Sequence, residues 1–452
     1  MNNFKNTLKE VSRYPSAIFG MIIILLLVAL ALYAVFTIPY DEAVRLWRGG
    51  EDTVYRNPKN VPPSWFNNFT DKSLPISVAV VAGEDEEFTK VVTPGAEGSS
   101  IVYEYSFDFQ YDEYPQELFL YIQADYQLKN PFISVTLETP GGEEIRISDF
   151  GTSARQTYRF SQDDRLQTRL RRLHGREVLP IQGLFSVPES DPLQINKGVY
   201  TLKILASTFE ENSDVRIEFV SHGLVFGMFG TDHMRRDLTT AILWGAPIAL
   251  AFGLLAAAST SVITMLIAAI GAWFGGWVDE LIQRITEVNL VIPFFSVLIM
   301  VGTFYSRSIW VILGVTIALS IFTGAIKTNR AIFLQVKEST YIEAARAYGA
   351  SDSRIIVKYL VPRIIPLLIP GLVSAVPSYV FLEASLALLG LGDPTLPTWG
   401  KVINDAYTNG ALYRGQFYWI LEPAILLMIT GLGFAMLGFA LDRIFNPRLR
   451  GM

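Results

Sequence analysis

The 452-residue chain has no cysteine, which excludes disulfide staples, thiolate zinc sites, iron–sulfur clusters and a cysteine nucleophile. Histidine is scarce too. His174, His222 and His233 are the three present and no two lie four residues apart, so no metal centre is expected, and nothing in the residues calls for a resident cofactor. Only 18% of the chain is charged, against about 25% in ordinary soluble domains. The net charge of −6 leaves no basic excess, which argues against nucleic-acid binding. A phosphate-cradling G-x-x-x-x-G-K-[ST] loop is also missing: the stretch from Gly392 to Val402, GDPTLPTWGKV, has neither the spacing nor the Ser/Thr. The chain is therefore not expected to hydrolyse ATP by itself.

Half of the residues are hydrophobic, and they are unevenly spread. Ala17–Ile38 runs 22 residues without a charge, enough at 1.5 Å per residue to cross a ~30 Å hydrocarbon core. Its exit, TIPYDEAVRLW, is not a small-residue cleavage site, so it reads as an uncleaved first span. Further apolar runs at Ala241–Ile270, Leu290–Phe304, Ile309–Ile326, Ile364–Leu389 and Tyr418–Leu441 bring the expected spans to six. Glu383 and Glu422 fall within or at the edge of such runs; structural pairing is expected for the first and nearness to water for the second. Phe417, Tyr418 and Trp419 are expected as an interfacial aromatic belt.

Between the first two spans, residues 39–226 have a different texture. Prolines 58, 62, 63, 75 and 94 punctuate a polar stretch, and then strict alternation begins. In IVYEYSFDFQY, residues Ile101, Tyr103, Tyr105, Phe107 and Phe109 fall on one face and Glu104, Ser106, Asp108 and Gln110 on the other, the two-residue period of a half-buried strand. Five more segments repeat the pattern between turn signals such as Pro140-Gly141-Gly142, which predicts an antiparallel, sandwich-like all-β domain. In DDRLQTRLRRLH, Leu166, Leu170 and Leu173 at helical spacing predict a surface helix with a basic outer face.

Lysine and arginine set the orientation. With the amino terminus inside, the inner loops and ends hold Lys5, Lys9, Arg13, Arg284, Lys327, Arg330, Lys337, Arg346, Arg354, Lys358, Arg363, Arg443, Arg448 and Arg450, while the short outer loops keep Arg307, Lys401 and Arg414. Both ends are then cytoplasmic and the β-rich segment is extracytoplasmic. The largest inner loop, 327–363, has internal order. Thr340 is placed to cap a helix from Tyr341 to Tyr348 with Glu343 in its first turn, where the dipole favours an anion. Ala344, Ala345 and Ala347 make a slim surface for close approach, and Gly349 sits where a left-handed residue ends a helix. Asp352 is expected to open a second helix that runs toward Pro362.

These residues carry a resemblance. EAARAYGASDSRIIVKYLVPRIIP is similar to the EAA loop of ATP-binding-cassette (ABC) importer permeases. FGTDHMRRDL, FGGWVDELIQRITEV, EASLALLGLGDPTLPTWGKVI and LGFALDRIFNPRL resemble, in the same order, segments of the dipeptide/oligopeptide/nickel permease family, and its C-type subunit most closely. The resemblance covers Phe226 to Leu449 and the first span. Arg235 stands where the family usually has glycine, and residues 39–226 are an insertion. The resemblance implies a type I ABC importer permease fold of six transmembrane helices: residues 1–38 as amino terminus and first span, 227–452 as the permease core. It implies a transport subunit without enzymatic activity, working with a second, different permease subunit, two cytoplasmic ABC ATPase subunits and an extracytoplasmic solute-binding protein in the lipid bilayer. ATPase coupling would rest on Glu343, Ala344, Ala345, Gly349 and Pro362. Peptides are the expected cargo, with nickel or oligosaccharides as the alternatives. An ion-gradient-driven secondary transporter, whose class often shows repeated halves, and a membrane-anchored surface receptor are the rival classes. No internal repeat is seen here, and a receptor would have no use for five further spans.

Overall fold

A computed structural model describes residues 14–95 and 98–445; Lys5, Lys9, Arg13, Arg448, Arg450 and the last part of the LGFALDRIFNPRL segment lie outside them. The chain divides into two compact units, Met1–Arg48 with Thr240–Met452, and Gly49–Thr239.

Four helices of the first unit are long and apolar enough to cross a membrane: Pro15–Thr37, Leu238–Phe274, Asp352–Leu391 and Tyr418–Phe445. The expected third and fourth spans are each part of a bent pair, Gly276–Val291 with Phe294–Phe304 at 75° and Ile309–Ile321 with Gly324–Lys337 at 47°, so the count is four, or up to six if each pair is one span. The breaks have local causes. Pro293 forces the preceding Ile292 into extended backbone. At the second break Thr323 is extended, and the Asn289 side chain donates to the Leu319 and Phe322 carbonyls, both at 2.8 Å, meeting acceptors that a helix end leaves open.

Close approach through small residues holds these helices together. A Cβ on Gly433 would come within 2.6 Å of Ile23, and one on Gly20 within 2.7 Å of the Gly433 carbonyl, on the facing helix. The Trp399 indole fills the space where a side chain on Gly245 would stand, 2.1 Å from an ideal Cβ, and its Nε1–H donates to the Ile242 carbonyl at 3.0 Å. Glu383 is buried within its helix. Glu422 stands near the start of the last helix beside buried Pro423. The expected aromatic belt is corrected at one residue: Phe417 is exposed, but Trp419 is fully buried, because it heads the inward stripe Trp419, Pro423, Leu427, Thr430, Phe434.

Hydropathy places the change of character at Pro39, yet Tyr40–Arg48 is a further helix of the first unit. Its Ala43 and Trp47 are buried, and Ala43 joins Ala34 and Trp244 in one cluster.

In the second unit, among the described residues, nine strands form two antiparallel sheets. The first has the order β1(Val78–Val81), β9(Asp214–His222), β4(Glu117–Asp125), β7(Arg155–Arg159); the second has β2(Phe88–Pro94), β3(Ser99–Phe109), β8(Gly198–Ser207), β5(Phe132–Glu138), β6(Glu144–Gly151). Alternation does what the period demands: in β3, Ile101, Tyr103, Tyr105 and Phe109 are buried while Val102, Glu104, Ser106 and Asp108 are exposed. Inward residues of both sheets, Leu120 and Ile217 with Tyr103 and Ile204, meet in one cluster. The helix Asp164–His174 covers part of it with Leu166 and Leu170. Its cap is Asp163, whose carboxylate accepts from the Arg165 and Leu166 amides. The unit runs past Phe226 to Thr239 because the segment before the second span is folded on itself. Buried Asp232 accepts from the Met234 and Arg236 amides and from the Arg236 guanidinium. Arg235 takes a left-handed φ of 64°, so the turn keeps the conformation glycine would adopt, now with a side chain on it.

Candidate functional site

The connector between Ile309–Ile321 and the helix through Val361–Leu386 carries the candidate site. Its first arm, Gly324–Lys337, is tied to the helix Gly276–Val291 by an ion pair between Arg330 and Asp279. Lys337 donates to the Ala272 and Trp273 carbonyls at 3.0 and 2.8 Å, closing the carboxyl end of Leu238–Phe274, where a cation also suits the helix dipole.

The short helix is Thr340–Ala347, one residue earlier than expected at its start. Ser339, in extended backbone, holds the cap position without a side-chain bond, and Thr340 is the first helical residue. The Ile342 and Glu343 amides turn back to the Ser339 carbonyl. Ile342 is the buried anchor of this helix: it is 1% exposed and packs in a cluster with Ala269, Trp273, Phe333 and Ile355. Arg346 lies over the Trp273 ring, 4.3 Å from its centroid, a cation–π contact. Glu343, Ala344 and Ala347 are exposed, whereas Ala345, expected on the same slim face, is half-buried and packs against that cluster. Gly349 has φ 75° with open space about it, which turns the chain sharply toward Asp352.

Ala344, Ala345 and Gly349 line an open groove of about 440 Å³, together with Tyr341, Tyr348 and Arg354. Glu343 stands on the same helix outside that lining, and Pro362 is not part of it. Pro362 is instead exposed in the first turn of Val361–Leu386. The helix opened by Asp352 does not stop there. It passes through a π-helical segment, Ile356–Leu360, and continues. The widened turn accommodates a proline that supplies no N–H to the preceding turn and would crowd its carbonyl. The residue pattern did not single out Ile342, Trp273 or the tyrosines of the groove. An isolated isoleucine in a polar loop carries no periodicity, and Trp273 is distant in the chain.

The chain belongs to the family of binding-protein-dependent transport system inner membrane components, whose model matches residues 249–451, and it is a multi-pass transport permease component. Among its relatives, the dipeptide transport system permease protein DppC of Bacillus subtilis is 30% identical over 49% of this chain and 69% of its own length. The oligopeptide transport system permease protein OppC of the same organism is 30% identical over 49% of this chain and 72% of its own. The glutathione transport system permease protein GsiD of Escherichia coli is 30% identical over 49% and 73% respectively. The matched region holds the whole Thr340–Ala347 helix and Gly349.

Proposed function

We propose that the chain is one of two different membrane-spanning subunits of an ATP-driven, binding-protein-dependent importer of short peptides. Its six spans place both ends in the cytoplasm, with residues 39–226, read as a β sandwich, outside. Two ABC ATPase subunits burn nucleotide below the membrane, and a solute-binding protein delivers cargo from outside. The peptide cargo is supported by the relatives, which are permease proteins of dipeptide, oligopeptide and glutathione transport systems.

One observation carries the reading. A short helix presents Ala344, Ala347 and Glu343 outward and is held to its own chain by buried Ile342, half-buried Ala345 and the Arg346–Trp273 contact on its other side. Alanines let another backbone approach closely, and Glu343 offers an exposed carboxylate in the first turn. Seated in an ATPase groove, the helix moves as a rigid body when the ATPases close. Gly349 and the continuous helix beyond Asp352, through Pro362, pass that motion to the span, which alternates access to a central path.

The test is a Glu343→Ala/Gly349→Val double variant in the assembled complex, followed by peptide uptake and by ATPase stimulation. Both are expected to fall to background while the permease remains in the membrane. Uptake and stimulation at wild-type levels would remove the coupling role and the importer reading with it.

A further inference from the structure

A second concavity lies wholly in the β-rich unit and has no part in coupling. It is a groove of about 990 Å³, the upper end of what small-ligand sites occupy, about 300–1,000 Å³. Its floor is the outer face of the first sheet. The register places Arg216 of β9, Gln123 of β4 and Arg155 of β7 side by side in one row, and Glu218, Tyr121 and Thr157 in the next. These residues point away from the core because their neighbours Ile122, Val215 and Ile217 point into it.

The charges in the two rows differ. Glu218 is satisfied: it pairs with Arg56 at 2.6 Å and accepts from the Tyr55 hydroxyl at 3.0 Å. Tyr55 in turn packs edge-on against Tyr121, 4.7 Å between centroids, so one end of the groove has an aromatic wall. In the other row, Arg155 and Arg216 are exposed, and among the described residues neither has a carboxylate partner. They stand two strand spacings apart, about 10 Å across the sheet, with an amide side chain between them. Guanidinium stems are long enough to converge over that amide on one carboxylate, the planar anion their forks fit best.

The chain's arrangement favours a peptide over a bare phosphate. β7 is an edge strand, paired only with β4, and its Arg155, Gln156 and Thr157 line the groove. An edge strand presents unpaired N–H and C=O groups, which an extended peptide pairs with and an inorganic anion does not.

We propose that this groove binds the free carboxylate of a short extended peptide, clamped by Arg155 and Arg216 over Gln123, with its chain along the β7 edge and the Tyr55–Tyr121 wall. The binding stands apart from import: a carrier of different cargo would leave it unchanged, and its absence would leave import standing.

The probe is an N-terminally fluorescein-labelled tetra-alanine, as free acid and as C-terminal amide, titrated by anisotropy against the full chain in lipid nanodiscs. The free acid is expected to bind and the amide to bind at least about tenfold more weakly, the loss of one charge-assisted contact. Arg155→Gln/Arg216→Gln, both exposed, is expected to lower affinity for the free acid to that of the amide with an unchanged melting profile. The Arg155→Lys/Arg216→Lys variant, which keeps charge without the fork, should fall between. Equal binding of acid and amide by the wild-type chain, or full binding by the double glutamine variant, would overturn the proposal.

Discussion

In the β-rich unit a group of rings is packed among the aliphatic side chains of the interior. Phe88, Tyr103, Phe160, Phe185 and Tyr200 are all essentially inaccessible and belong to one cluster, with Phe107 stacked between Tyr105 and Tyr200. In the membrane unit alanines recur between the helices among larger side chains: Ala31, Ala246, Ala249, Ala257 and Ala384 in one cluster, Ala268, Ala269 and Ala272 in another, with glycines at the closest crossings. The solvents explain the contrast. In water, burying apolar area drives folding, and large rings bury the most per residue. Lipid tails are as apolar as leucine, so helices gain by close contact, which small residues allow. One chain thus obeys two packing rules, and the same substitution should mean opposite things in its two units.

The sharpest probe of the β-rich side is Tyr103→Ala, which empties a large space and removes the hydroxyl that donates to the Val215 carbonyl. It is expected to cost about 4 kcal/mol, read as a lowered thermal midpoint of the full chain in detergent; a shift under one degree would break the comparison. Next in size is a pH effect confined to the β-rich unit. His222 is buried, its Nε2–H donates to the Tyr55 carbonyl at 2.9 Å, and burial pushes its pKa down to about 4. The unfolded chain takes up the proton near pH 6.5 and the folded one only near 4. The stability is therefore present in full above about pH 6.5 and declines as pH falls toward 4, by about 3 kcal/mol in all. His222→Gln should flatten the difference in melting midpoint between pH 7 and pH 4.5; an unchanged slope would show that other groups set it. On the helical side the rule inverts. Gly433→Leu adds apolar volume, which in the β-rich interior could fill space, but here it meets Ile23 on the facing helix. A loss of about 2 kcal/mol is expected from overpacking, seen as easier dissociation of the first helix on limited proteolysis.

The residue pattern made some of this legible. Alternation in the stretch Ile101–Phe109 identified its buried face residue by residue, because a strand's period is two and one face is wet. The first, second, fifth and sixth apolar runs each correspond to a long helix, because a membrane span announces itself by uninterrupted hydrophobicity. The bends were not legible. Pro293 lies inside an apolar run, and Thr323 with Gly324 forms no recognisable turn signal, so hydropathy read through both breaks. Tyr40–Arg48 was hidden because its charged face makes its average composition polar. Of the loop 327–363, Glu343, the alanines and Gly349 could be placed from helix-start and helix-stop chemistry. The passage of the helix through Pro362 could not, since a π segment has no composition of its own. The arginine groove was beyond reach for another reason: residues 121, 155, 216 and 218 become neighbours only through strand pairing, and residue 56 joins them only through its ion pair with Glu218.

The indole of Trp399 wedged against Gly245 has one more implication. Two positions more than 150 residues apart share a volume sufficient for one side chain, so neither can drift alone. Any lineage that enlarges residue 245 must trim residue 399 in step, and the tryptophan can persist only where its counterpart stays bare. Across relatives the pair should change hands together or not at all.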